Sequence, residues 1–149
     1  MRVNDEGHML RRNAIRAYNE AEQEFLVSGA DAHGLVEILF SELISSITAA
    51  REGLSSSDLA AKSAGVSKAL SIIHVLASSL DFEKGGDVAD SLLRLYEWSR
   101  RTIIEGSRDG KASAFDEVLQ AVSEIAEAWR SIGGQHAAAR AAQVAQPAV

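Results

Sequence analysis

The histidines are the side chains of this 149-residue sequence that could most directly bind a metal ion or transfer a proton. They are His8, His33, His74 and His136, and the sequence has no cysteine. None stands in the Glu-x-x-His or His-Glu-x-x-His spacing that places metal ligands on one helix face. His74 lies in an apolar helical segment with no carboxylate close in sequence, so we expect it to be structural or solvent-facing. The sequence therefore predicts no metal, no cofactor and no catalytic residue, and the protein is not expected to be an enzyme.

Two glycine-containing loops have a superficial likeness to ligand-binding loops. Carboxylates surround Gly85-Gly86, but their spacing is not that of an EF-hand and the terminal glutamate is missing. Residues 106–112 (GSRDGKA) resemble a phosphate loop, yet the glycines are too close together, no strand precedes them and no Ser or Thr follows Lys111. Both segments are therefore interpreted as turns between helices.

The composition is that of a globular protein, with 46% hydrophobic and 24% charged residues. The net charge of −6 argues against binding a nucleic-acid backbone. The first residues, MRVNDE, lack the apolar core of a secretory signal. We therefore expect a cytoplasmic protein with no nucleic-acid partner and no membrane insertion.

Apolar residues recur at three- and four-residue spacing through most of the chain, and glycine and serine cluster between these segments. The spacing predicts four helices, with Asp31 and Asp58 as expected N-caps. They span residues 31–53, 59–80, 87–106 and 113–132. Short connections favour antiparallel neighbours. The predicted fold class is all-α: an antiparallel up-down four-helix bundle with an additional N-terminal helix or arm.

The sequence divides into three parts around this predicted bundle. Residues 1–30 form an arm whose helical segment carries one narrow apolar stripe, made of Leu10, Ala14, Tyr18, Ala21 and Phe25. Residues 31–132 form the bundle. Gly133-Gly134 is expected to end the last helix, and the Ala-rich residues 133–149 are interpreted as a flexible tail.

Several helices carry more apolar residues than one buried stripe needs. On the second helix the predicted stripe is Val66, Leu70, Ile73, Ala77 and Leu80. Ile72 and Val75 project away from it, as Ile38 and Leu93 do on their own helices. One interpretation is a wide buried face, partly covered by the arm. A second is an exposed groove for a partner helix, in which Tyr18 and Phe25 of the arm also dock. A third is a homodimer interface.

The residues around the glycine pair carry a specific resemblance. LDFEKGGDVA at residues 80–89 leads into LLRLYEW at 92–98 and then Arg101, which resembles the signature of the flagellin export chaperones (FliS). Supporting features are Ala17-Tyr18, LVEILF at residues 35–40 and Ala128-Trp129. The sequence departs from the family at residues 31–35, where DAHGL replaces the usual Ser-Pro-Glu-Glu-Leu.

The resemblance implies a helical bundle without catalytic activity that binds the C-terminal segment of flagellin. It implies that this binding prevents premature polymerisation and that the complex is delivered to the flagellar export gate. Tyr96 and Arg101 join Tyr18, Phe25, Ile38, Ile72, Val75 and Leu93 as expected partner-binding residues. Asp81, Gly85 and Gly86 are expected to form a structural turn. The free protein is expected to be a monomer or weak homodimer, and the alternative is a self-associating structural bundle.

Overall fold

The computed structural model of the chain describes the backbone of residues 32–145 and the side chains of residues 32–133. Within these residues it is all-helical, as predicted, and contains no strand. The helices are α1 (Ala32–Ser55), α2 (Leu59–Ser78), α3 (Phe82–Asp109) and α4 (Ala112–Ala145). The arm, with Tyr18 and Phe25, and the expected N-cap Asp31 lie outside the described residues.

Aspartates start two of the helices. The Asp58 carboxylate accepts a hydrogen bond from the Ala61 N–H at 3.0 Å, which confirms it as the N-cap of α2. The Asp81 carboxylate accepts from the N–H groups of Glu83 and Lys84, both at 3.1 Å, and caps α3. Helix α3 therefore begins five residues before the predicted start at Asp87. The segment expected to be a plain turn is a capped helical turn.

Helix α4 continues through Gly133-Gly134 to Ala145, so the prediction that this pair ends the helix is wrong. Two glycines weaken a helix by about 1 kcal/mol each, and the alanine-rich run that follows has the highest helix propensity. Gly133 also lies where a larger residue does not fit, because a Cβ there would be 2.5 Å from His33 Nε2.

The helices pack in a ring, in which α1 and α3 each contact both α2 and α4. Within the described residues, α1 does not approach α3, and α2 does not approach α4. Helices α1 and α4 run antiparallel, since Arg51 pairs with Asp116 near one end and Glu37 pairs with Arg130 near the other. Two successive pairings in opposite chain order fix that direction.

Every helix contributes to one apolar core. Its largest fully buried side chains include Phe40, Leu43, Ile47, Ile72, Leu76, Ile103, Phe115, Val118 and Val122. By length and composition alone, α1 and α2 are apolar enough to cross a membrane. This is weak evidence, because core helices of soluble proteins pass the same test and both helices supply core residues here.

Candidate partner-binding surface

Helices α1 and α2 approach each other through small residues. A Cβ on Gly65 of α2 would lie 2.7 Å from both the Ser46 oxygen and the Ala50 nitrogen of the α1 backbone. A Cβ on Gly53 would lie 2.5 Å from the backbone nitrogen of Lys62. The two backbones are therefore in direct contact. Along the helix axes, Gly65 of α2 is level with the segment between residues 46 and 50 of α1.

This register brings two of the predicted partner-binding residues to the same height. Ile38 lies ten residues toward the N-terminus of α1 from the midpoint between Ser46 and Ala50. Val75 lies ten residues toward the C-terminus of α2 from Gly65. Ile38 precedes Glu42 by four residues and Val75 follows Lys68 by seven, so each shares a helix face with a residue of one ion pair. Glu42 and Lys68 are joined across the helices at 2.8 Å. We call these four residues the α1–α2 seam.

The seam is apolar at one end and charged at the other. Ile38 and Val75 are half-buried and pack against the core. The Lys68 Nζ and the Glu42 carboxylate are about 40% exposed, so their pairing contributes little stability. The seam therefore offers two aliphatic side chains beside one neutralised ion pair.

Ile72 is not part of that surface. It is fully buried, so the expectation that it projects away from the core is wrong. The buried residues of α2 are Gly65, Ala69, Ser71, Ile72, Ile73 and Leu76. The buried face is therefore turned by about one residue from the predicted face. Because Gly65 and Ala69 are small, this face packs closest to α1.

The three predicted residues on α3 differ in environment. Tyr96 is buried, with 3% of its surface exposed, and burial raises the pKa of its hydroxyl to about 12. Leu93 is half-buried and Arg101 is exposed. Because the backbone of α3 does not come close to that of α1, these residues do not lie on the seam with Ile38. Tyr96 belongs to the core rather than to a surface.

The glycine pair at residues 85–86 has unusual local geometry. Gly86 has φ 48° and ψ −124°, a conformation that residues with a side chain rarely adopt, and it kinks α3. A Cβ on Gly85 would lie 2.9 Å from the Cβ of Ala89. Within this turn, Asp81 caps the helix, Gly85 allows the close contact with Ala89, and Gly86 forms the kink.

A contact that the sequence analysis missed joins the start of α1 to α4. The rings of His33 and Trp129 stack with centroids 4.3 Å apart, and Trp129 also lies edge-on to Phe40. The Trp129 Nε1–H donates to the His33 carbonyl at 2.9 Å, and His33 Nε2 donates to the Trp129 carbonyl at 2.7 Å. The partners are 96 residues apart, so no local pattern indicates the pairing. His74, in contrast, is solvent-exposed, in keeping with the structural or solvent-facing prediction.

An ion pair strengthens the same α1–α4 contact nearer the other end of the helices. Arg51 Nη2 donates to Asp116 Oδ2 at 3.1 Å, and Arg51 Nε donates to Asp116 Oδ1. The hydrogen bond from Arg51 lowers the pKa of the Asp116 carboxyl. Helix α1 is therefore fixed at both ends, which holds its seam face away from α4.

Comparison with known proteins decides the family. The family model described as flagellar protein FliS matches residues 14–136. The chain belongs to the FliS family. The match includes the seam, the glycine turn and the His33–Trp129 pair.

Curated FliS relatives are similar over nearly their whole length. The flagellar secretion chaperone FliS of Salmonella typhimurium is 38% identical over 125 residues, which cover 83% of this chain and 93% of the relative. FliSB of Pseudomonas aeruginosa is 30% identical over 83% of this chain and 98% of its own. FliS of Vibrio cholerae is 28% identical over 89% and 98%. These relatives are named chaperones, which fits the expectation of a protein that is not an enzyme.

Proposed function

We propose that this protein is a cytoplasmic chaperone that binds the disordered C-terminal segment of flagellin. By covering that segment it prevents premature polymerisation, and it delivers the subunit to the flagellar export gate. The names of the relatives support a role in flagellar secretion. The observation that supports a binding role most directly is the α1–α2 seam, where Ile38 and Val75 are half-buried at the same height.

The seam suits a segment that becomes helical on binding. An amphipathic helix places apolar residues at three- and four-residue spacing, and such a stripe packs into the groove between two helices. Ordering a disordered partner costs conformational entropy, which apolar burial offsets. The Glu42–Lys68 pair leaves the seam with no net charge, so the apolar contact dominates.

The other predicted residues have different places in this proposal. Leu93 and Arg101 form a second contact on α3, reached by a segment that wraps around the molecule. Ile72 and Tyr96 act from the core by supporting the helices that carry the surface. We further propose that the ring of helix contacts is the predicted antiparallel four-helix bundle, and that the free protein is a monomer or weak homodimer.

Charge substitutions in α2 test the site. Val75→Asp is expected to weaken flagellin binding at least about tenfold, because it places an unpaired carboxylate in the apolar contact. His74→Asp adds the same charge at an adjacent exposed position and is expected to leave binding unchanged. Ile72→Asp is expected to unfold the protein, since its side chain is fully buried. Calorimetry measures binding and circular dichroism measures folding. Unchanged affinity in a folded Val75→Asp variant would remove the seam from the binding site.

The N-terminal arm is proposed to dock in cis through Tyr18 and Phe25 and to be displaced by flagellin. Tyr18→Ala is then expected to speed amide exchange in residues 10–26 of the free protein. If the arm only competes, the affinity of Tyr18→Ala for flagellin rises. If the arm moves and then clamps the ligand, this affinity falls. We favour the clamp. Unchanged exchange together with unchanged affinity would show that the arm takes no part.

A further inference from the structure

Helix α3 is held to its neighbours by fewer side-chain interactions than α1. Helix α1 has an ion pair to α2, two ion pairs to α4 and the His33–Trp129 stack. Within the described residues, no ion pair joins α3 to another helix, and Arg108 pairs with Asp109 at the end of the same helix. The Lys62 Nζ donates to the Ser107 carbonyl at 3.3 Å. The ion pairs of α1 are each at least a third exposed and contribute little individually, but together with the His33–Trp129 stack they join α1 to both neighbours, whereas α3 has no equivalent set.

Helix α3 also buries few large side chains. Of its 28 residues, Tyr96 and Ile103 are the buried residues of substantial size. Its other buried residues are Ala89, Ser99 and Gly106. Leu92 and Trp98 of α3 also pack against the core, but they are only half-buried. Fully buried large side chains are fewer in α3 than in α1, so we expect apolar burial to hold α3 less strongly than α1.

One buried hydroxyl in α3 lacks a partner. For comparison, the buried hydroxyl of Ser46 in α1 is paired: it donates to the carbonyl of Glu42, four residues earlier, at 2.7 Å. Ser99 is 1% exposed, and its Oγ has no hydrogen-bond partner in the structure. Burial of an unpaired hydroxyl favours any state in which water reaches it. Ser99 therefore favours separation of α3 from the core.

Helices α3 and α4 are in close contact near Gly106, whereas apolar side chains near the other end of the pair are exposed. A Cβ on Gly106 would lie 2.5 Å from the Ala114 Cβ. Val88 and Ile132 each lie 18 residues from that contact, which is five full turns, so they face each other across the same helix pair. They are nevertheless 66% and 45% exposed. Large apolar side chains of this helix pair are therefore exposed near the Gly86 kink.

We propose that residues 87–109 of α3 open as a separate unit, with Gly86 and Gly110 as hinges. Both glycines have positive φ, at 48° and 67°, and neither has any atom within 4 Å of the position of an added Cβ. Glycine has no side chain to restrict φ and ψ, so these two positions can absorb a change in chain direction. The proposal concerns the free protein and does not depend on flagellin binding.

Hydrogen exchange of the full-length protein tests this opening. Amides of residues 87–109 are expected to exchange at least about tenfold faster than buried amides of α1 and α2, with boundaries at the two glycines. Ser99→Ala removes the unpaired hydroxyl and is expected to slow exchange in α3 by about fivefold. Ser46→Ala, a buried serine whose hydroxyl is paired, is the matched control and is expected to leave α3 unchanged.

Two results would overturn the proposal. The first is equal protection of the four helices, which would mean that α3 opens only when the whole protein unfolds. The second is a Ser99→Ala variant whose α3 amides exchange at the wild-type rate, which would mean that the unpaired hydroxyl does not favour opening of α3.

Discussion

Gly86 and Gly110 both have a positive φ, but they differ in which other residues could adopt their backbone conformation. Gly110, at φ 67° and ψ 33°, lies in the left-handed helical region, which asparagine also adopts. Gly86, at φ 48° and ψ −124°, lies outside that region. The sequence predicted a structural turn at Gly85 and Gly86. In that turn Gly86 has a positive φ, and Gly85 is in close contact with Ala89.

This difference gives a matched test. Gly86→Asn is expected to lower the free energy of unfolding by about 1–3 kcal/mol, through backbone strain alone, since no atom obstructs the new side chain. Gly110→Asn is expected to cost well under about 1 kcal/mol. Urea unfolding of both variants measures the two values. Equal losses would show that the kink at Gly86 does not require glycine.

Tyr96 predicts how stability depends on alkaline pH. Its pKa is raised from 10.0 to about 12 by burial, so the folded state favours the neutral phenol. The resulting stabilisation is complete below pH 10 and is lost as the pH rises through about 12. The expected loss at pH 11 is about 1 kcal/mol. Unfolding at pH 9 and pH 11 measures it, and Tyr96→Phe should show a smaller loss; an identical loss in the variant would assign the effect to other groups.

At the scale of the helices, periodicity predicted that each one exists but not which face it buries. The four predicted segments all correspond to helices of the structure. On α2, however, Val66 and Leu70 are only half-buried, while Gly65 and Ala69 are buried. Hydrophobic patterns give weight to large residues, whereas close helix packing selects small ones. The error for Ile72 follows from this difference.

Helix ends were predictable where the signal is local. The Asp58 cap depends on a side chain and a backbone group three residues apart, so the sequence shows it directly. The continuation of α4 past Gly133 depends on a tertiary contact with His33 and on the residues that follow. A local rule that glycine ends a helix could not include that contact.

At the scale of the whole molecule, the candidate surface depends on how α1 packs against both α2 and α4. The ion pair from Arg51 and the His33–Trp129 stack hold α1 to α4, and close backbone contact holds it to α2. This rigid pairing presents Ile38 and Val75 together. The sequence predicted both residues as partner-binding, but their shared height depends on long-range packing that no local pattern shows.

The central claim is that this FliS-family protein binds the C-terminal segment of flagellin. Light scattering of the protein mixed with full-length flagellin, and with flagellin that lacks this segment, tests the claim most directly. We predict a monomer that forms a one-to-one complex with the full-length subunit and no complex with the truncated one. An equally stable complex with truncated flagellin, or an obligate dimer of this protein that ignores flagellin, would contradict the account.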